Sequence, residues 1–156
     1  TKIFLIIALL FSCEKPLTDS SNKPTLSFTD VTENAGLAGF KHVSGAIGDF
    51  YDDLKEHGRE DEVVVLVFSE FGRRIKDNGS GTDHGSGGVA FVIGSEVKGG
   101  MYGQYPSIRE ADQLEGDLHF NNDFRSTYST IIENWFGLDA VPIVNGTFEQ
   151  FDFVSR

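Results

Sequence analysis

The sequence is poor in cysteine and in positive charge. Cys13 is the single cysteine among 156 residues, so no intramolecular disulfide can cross-link the fold. Lysine and arginine number 13 against 24 acidic residues, which gives a formal net charge of −11. Because nucleic-acid binders depend on basic clusters that displace counterions from phosphate, this balance excludes a general nucleic-acid-binding role.

The sequence also lacks an apolar run long enough to cross a bilayer, which takes about 20 residues. The longest run, Ile3 to Phe11, follows Lys2 and leads into Leu10-Phe11-Ser12-Cys13. A charged start, a short apolar core and a small residue before the break are typical of a secretory signal peptide. The break resembles a bacterial lipobox, which implies that Cys13 is lipidated.

The interpretation of residues 1–13 as a lipoprotein signal predicts an exported protein anchored to a membrane, in the periplasm or at the cell surface. The alternative is a buried core helix that ends at Cys13. Residues 14–25 are polar, contain two prolines and have no periodicity, so they are predicted to be a flexible tether.

Apolar periodicity after the tether predicts an α/β fold, with parallel central strands and flanking helices. One helix is expected over 46–58 and another from Phe124 to about Phe136. The continuous β-branched run Val63 to Phe68 is typical of a central parallel strand that is buried on both faces. A long polar, glycine-rich loop over 69–88 is predicted to follow it, and a second apolar strand over 89–93 comes next.

The loop after the Val63 to Phe68 strand carries candidate metal ligands, since ligands in open α/β sheets bind beyond the carboxyl ends of strands. Glu70, Asp83 and His84 supply the carboxylate and imidazole groups that suit zinc or manganese-type ions. Arg73 and Arg74 are candidates for binding an anionic substrate oxygen. The alternative is that Glu70 pairs with one of these arginines while Asp83 and His84 hydrogen-bond a turn.

Several motifs carry a resemblance to a known family: SEFGRR after the strand, TDHG in the loop and the later NDFRSTYSTIIENWFG. In this order they resemble the carboxyl-terminal part of the bacterial domain-of-unknown-function family 1501, over residues 47–156. That family is grouped with the alkaline phosphatases and sulfatases. The resemblance implies a partial alkaline-phosphatase-like sandwich, a divalent metal (zinc, manganese or calcium) and hydrolysis of phosphate or sulfate esters. Glu70 would then stand where relatives often carry an Asp-His pair.

A second resemblance covers residues 26–46, where SFTDVTENAGL and FKHVSGA resemble the opening of secreted proteins of the ASPIC/UnbV and FG-GAP type. A junction near Ala46 to Gly48 would join the start of one lipoprotein to the tail of another protein. The chain would then be a fused or truncated gene product. Two intact neighbouring reading frames at the genomic locus would support this hypothesis.

Two functions are consistent with these patterns. One is metal-assisted hydrolysis of an anionic ester, with the metal held by Glu70, Asp83 and His84. The other is a non-catalytic cell-surface or structural module, because no attacking group is visible in the motifs. His119 would complete a metal site only if its loop folds back, and a surface role is the simpler interpretation.

Overall fold

The computed structural model describes residues 3–8 and 38–155. They fall into two compact units: one contains strand β1 (Ile3–Ala8) and the chain from Asp61 onward, and the other contains helix α1 (Ala38–Glu56). Cys13, the tether and most of the predicted opener lie outside the described residues. Their roles stay predictions.

Helix α1 confirms the helix predicted over 46–58, although it begins earlier, at Ala38. The helix ends because Gly58 adopts a φ of +60°, a left-handed conformation that glycine takes at little cost. The apolar residues spaced for one face of a helix are half-buried, while most of their neighbours are exposed. These half-buried residues are Ile47, Phe50, Tyr51 and Leu54.

The run Val63–Phe68 forms strand β2, the middle strand of a three-stranded sheet. Strand β1 pairs with it in parallel, and strand β5 (Phe91–Ile93) pairs with its other edge. Five of the six β2 residues are buried, although successive side chains point to opposite faces of a sheet. The predicted burial of this strand on both faces is therefore confirmed.

The predicted set of parallel central strands is wrong at β5, which runs antiparallel to β2. A parallel return needs a crossover of a dozen or more residues, usually a helix. Between Phe68 and Phe91 the described chain instead forms a β-hairpin, strands β3 (Gly72–Asp77) and β4 (Thr82–Gly85). In its described residues the protein is therefore a mixed α/β fold with one parallel strand pair.

Segments from the second half of the chain cover this sheet. Helix α2 (Phe124–Thr130) continues directly into a π-helical turn, Ile131–Trp135, so the predicted helix is confirmed in extent but not in uniform geometry. Helix α3 (Val141–Val144) follows, and two short 3-10 turns lie at Glu60–Glu62 and Glu110–Asp112. The main buried core cluster consists of Val64, Leu66, Ile131, Trp135, Phe153 and Val154.

The aromatic residues Phe124, Tyr128 and Trp135, spaced along helix α2 and the π-helical turn, are only partly in the core. Trp135 is 1% exposed, but Phe124 in the first turn is 69% exposed and meets Tyr128 edge-on at 5.8 Å. Burial increases along the helix toward the π-helical turn, where the side chains contact the sheet core.

The carboxyl-terminal segment is bound to helix α2 through a buried hydroxyl. Thr130 Oγ1 donates to the Ser126 carbonyl at 2.7 Å and accepts from the Phe151 N–H at 2.9 Å. Further along, the Lys98 and Ser155 N–H groups donate to the Phe153 and Glu96 carbonyls, both at 2.8 Å. These bonds hold the buried residue Phe153 in place.

No helix among the described residues is both long enough and apolar enough to span a membrane.

We predict that Asp123→Ala destabilises the protein by about 1 kcal/mol, the usual effect of losing a helix N-cap. Asp123 accepts from the Arg125 N–H at 2.9 Å and from the Arg125 guanidinium at 2.7 Å and 3.0 Å. The hydrogen bonds from the Arg125 side chain, and to a smaller extent the one from its backbone N–H, hold the pKa of the Asp123 carboxyl below its ordinary value. The ionised Asp123 carboxylate therefore adds to the free energy of unfolding above the unfolded pKa of about 3.9. This stabilisation is lost as the pH falls through the lower pKa of the folded state.

Urea denaturation of the wild type and Asp123→Ala from pH 7 to pH 3 measures the difference in their free energies of unfolding and its dependence on pH. Asp123→Asn is the matched control, because asparagine caps a helix but carries no charge. We expect the Asn variant to keep most of the stability at pH 7 and to lose the pH-dependent part. An Asp123→Ala protein as stable as the wild type at pH 7 would contradict the assignment.

Candidate functional site at the carboxyl end of strand β2

The polar stretch after β2 is a β-hairpin, and not the open loop predicted over 69–88. Strands β3 and β4 pair antiparallel, with Arg73 opposite His84 and Asp77 opposite Thr82. The strands lack apolar alternation, so their sequence gave no strand signal. Pairing is instead set by the turn between them.

Side chains close this turn onto its own backbone. Asp77 Oδ1 accepts from the Gly79 N–H at 2.8 Å, and Asn78 Oδ1 accepts from the Ser80 N–H at 3.0 Å. The Asn78 N–H donates to the Gly81 carbonyl at 2.8 Å, while Gly79 has a φ of +92°. Such side-chain-to-backbone bonds are how aspartate and asparagine favour turns.

Three glycines let the hairpin base pack closely against neighbouring backbone and side-chain atoms. A Cβ at Gly72 would lie 1.7 Å from the Gly87 carbonyl oxygen, one at Gly85 would lie 2.5 Å from Asp117 Oδ1, and one at Gly87 would lie 2.7 Å from the Leu118 Cβ. Any side chain at these positions would overlap its neighbour. We call Gly72, Gly85 and Gly87 the glycine corner.

Asp117 fastens a distant segment to the glycine corner, a role that the sequence analysis missed. Both of its carboxylate oxygens lie 3.1 Å from the Ser86 N–H, and the Ser86 hydroxyl donates to the Leu118 carbonyl at 3.0 Å. Asp117 itself ends a two-residue turn in which Glu115 and Gly116 have φ values of 52° and 84°. In the sequence, only Gly116 at the second central position indicated this turn, because a turn with two positive φ values favours glycine there.

His84, a predicted metal ligand, stacks flat on Phe71. The ring centroids are 3.6 Å apart and the planes differ by 10°. Glu70 directly precedes Phe71, so the stack brings the Glu70 backbone close to the His84 ring. The Glu70 carboxylate is exposed and accepts from the Ser69 hydroxyl at 3.3 Å, rather than pairing with an arginine.

Asp83 faces away from this pair. It precedes His84 on strand β4, and consecutive side chains of a strand point to opposite faces. Asp83 Oδ1 accepts from the Asn78 amide at 2.7 Å, so it stabilises the turn as the alternative interpretation proposed. Glu70 is therefore linked to His84 only through Phe71, which follows it in the chain and stacks on the His84 ring, while Asp83 lies on the other face of β4.

The two arginines differ in their surroundings. Arg73 Nη1 donates to the Thr82 carbonyl at 2.7 Å, and its guanidinium carbon lies 5.0 Å from the Phe71 ring centroid. Arg74 is half-buried, and in the described part of the chain its side chain has no hydrogen-bond or ion-pair partner. Of these two arginines, Arg74 is therefore the one available to an anion.

His119 is exposed, and its Nδ1 lies 3.1 Å from the Phe120 carbonyl oxygen. Over residues 3–8 and 38–155, no three histidine, cysteine or acidic side chains are grouped so as to hold a metal ion. Glu70, Asp83 and His84 therefore do not form a complete three-ligand metal site among the described residues.

Taken together, these features define a mixed α/β protein with a polar hairpin beyond a buried central strand. Residues 30–133, two thirds of the chain, match the family described as "Protein of unknown function (DUF1501)". The chain therefore belongs to that family, which confirms the resemblance drawn from the SEFGRR and TDHG motifs. The match also spans the boundary predicted between residues 46 and 47, and that boundary stays a prediction. No curated protein and no solved structure matches the chain.

We predict that Gly72→Ala destabilises the hairpin base by about 1 to 3 kcal/mol or more, the usual cost of overpacking. The added methyl group would overlap backbone, which cannot swing aside as a side chain can. The matched control is Gly88→Ala, where the nearest atom to an added Cβ is 3.6 Å away. Thermal unfolding should show a lowered midpoint for the first variant and a small change for the second. Equal midpoints would show that the corner is not packed as described.

Proposed function

We propose that this chain carries the carboxyl-terminal part of an alkaline-phosphatase-like or sulfatase-like domain. Its hairpin would take part in metal-assisted hydrolysis of a phosphate or sulfate ester. The observation that carries the proposal is the place of the hairpin: it directly follows the carboxyl end of a buried strand and presents exposed Glu70, Asp83 and His84. Ligands of open α/β sheets bind at such strand ends.

The stacked imidazole supports this role. A flat stack fixes the plane of the His84 ring, yet the lone pair of the unprotonated ring nitrogen lies in that plane and projects from the edge of the stack. A histidine held in this way loses little rotamer freedom on binding an ion, and neutral imidazole is the commonest metal ligand. Glu70, which directly precedes the stacked Phe71 in the chain, would add a carboxylate oxygen.

Arg74 supports the choice of an anionic substrate. Its guanidinium has five N–H donors in a planar fork that matches phosphate and sulfate oxygens. Without a partner among the described residues, it would bind an anion without first breaking an ion pair. Arg73, held by the Thr82 carbonyl, would instead position the hairpin.

A bound zinc, manganese or calcium ion would supply Lewis-acid polarisation of the ester oxygen. The residues of this chain that would hold the ion are Glu70 and His84, since Asp83 lies on the other face of β4 and accepts from Asn78. We assign to the hairpin a share of such a site, with further ligands and the attacking group supplied from outside the described residues.

A non-catalytic surface module, or an inactive fused or truncated gene product, is the second candidate. One observation favours it: each proposed ligand already has a local partner. Glu70 accepts from Ser69, Asp83 accepts from Asn78, and His84 stacks on Phe71. In that case the hairpin polar groups stabilise its own fold.

We predict that His84→Ala weakens binding of zinc or manganese by more than the roughly 10- to 100-fold typical of losing an outer-shell partner. Calorimetric titration of the purified chain with each metal, and with calcium, measures the affinity. His119→Ala is the control, because this exposed histidine lies outside the hairpin.

Equal losses in the two histidine variants would remove the ligand assignment. Absence of binding for all three metals in the wild type would sink the hydrolase proposal and leave the non-catalytic module.

We further propose that the protein is an exported lipoprotein anchored through Cys13. When the chain is expressed with its amino-terminal segment in a bacterium fed radiolabelled palmitate, we expect label in the wild type and none in Cys13→Ser. The wild type should be found in the membrane fraction and the Cys13→Ser variant in the soluble fraction. An unlabelled wild type would refute the anchor without bearing on the hairpin.

A further inference from the structure

Strand β1 covers the full length of one edge of β2. The six pairs run in parallel register from Ile3 opposite Val63 to Ala8 opposite Phe68. On the other edge, β5 lies opposite only Val65, Leu66 and Val67. At the two ends of β2, β1 is therefore the strand neighbour that the described chain provides.

The composition of the two strands fits a buried parallel pair. Val63 to Val67 are at most 3% exposed, so β2 has no solvated face. A strand with both faces buried still has two rows of backbone N–H and C=O groups, which need partners at both edges. The β1 sequence IFLIIA is apolar throughout, as strands of two-sided parallel pairs are.

We propose that the β1-facing edge of β2 is a strand-accepting site for an apolar strand that runs parallel to it, and that Ile3–Ala8 fills this site within the same chain. Main-chain hydrogen bonds would give the affinity, as in other cases of strand addition to a sheet edge. This proposal does not rest on the proposed hydrolase function.

The accepted strand is also the apolar core of the predicted signal peptide. Cleavage before Cys13 would vacate the site and expose an apolar, unpaired edge, which invites association with other strands. The edge would then accept the same kind of strand from a second polypeptide. Export and self-complementation are thus alternative uses of one segment.

Amide hydrogen exchange on the full chain tests the first half of this proposal. Since successive N–H groups of a strand point to opposite edges, every second amide from Val63 to Phe68 should be protected by β1. Protection at Val63, Val64 or Phe68 is the sharpest signal, because no β5 residue lies opposite them. Exchange of these amides at unfolded-chain rates would overturn the proposal.

The double variant Ile6→Pro with Ile7→Pro tests the second half. One of two consecutive prolines must remove an N–H that faces β2, whereas the control Ile6→Val with Ile7→Val keeps both donors and a high strand propensity. We expect protection at the ends of β2 to fall at least about tenfold in the proline variant and to persist in the valine control.

A peptide of residues 1–12, with lysines added for solubility, should restore that protection when mixed with the proline variant. The same peptide with the two prolines should not. If neither peptide or both peptides restore it, acceptance of a strand from another molecule is refuted. If the proline variant does not fold, wild-type exchange and the valine control still decide whether β1 holds this edge.

Discussion

Complete burial of strand β2 is the constraint on which the rest of the structure depends. Its five buried apolar residues each gain about 1.5 to 3 kcal/mol on leaving water, but only if both faces and both edges are covered. Helix α2, the π-helical turn and the segment around Phe153 pack onto the same core cluster as Val64 and Leu66. The two edges of β2 are paired with β1 and β5. The apolar core of this unit is therefore built around one strand.

The hairpin beyond β2 is held by a different kind of force. It contributes little apolar burial, and its shape comes from close backbone packing and from hydrogen bonds to Asp117 and within the turn. Beyond the buried strand, Glu70 and His84 are exposed and Arg74 is half-buried.

Family membership and geometry carry different parts of the functional interpretation. The family match establishes kinship over residues 30–133 and names no activity. The hydrolase proposal rests on the chemistry and placement of the hairpin side chains, while no three potential metal ligands are grouped among the described residues. Fold and family set the place for a site, but the activity depends on the groups that meet there.

The sequence by itself determined the elements that strong apolar patterns specify: helix α1 with its stripe, the buried strand Val63–Phe68 and the helix after Asp123. These depend on local periodicity, which can be read without knowing the neighbours. Only the tertiary structure decided the antiparallel direction of β5, the hairpin in place of a loop and the separation of Asp83 from His84 across a strand. The direction of β5 and the docking of the hairpin base depend on contacts between residues far apart in the chain, such as Ser86 with Asp117, and no local pattern encodes such a contact. The hairpin itself is local, but its polar strands have no apolar alternation to mark them.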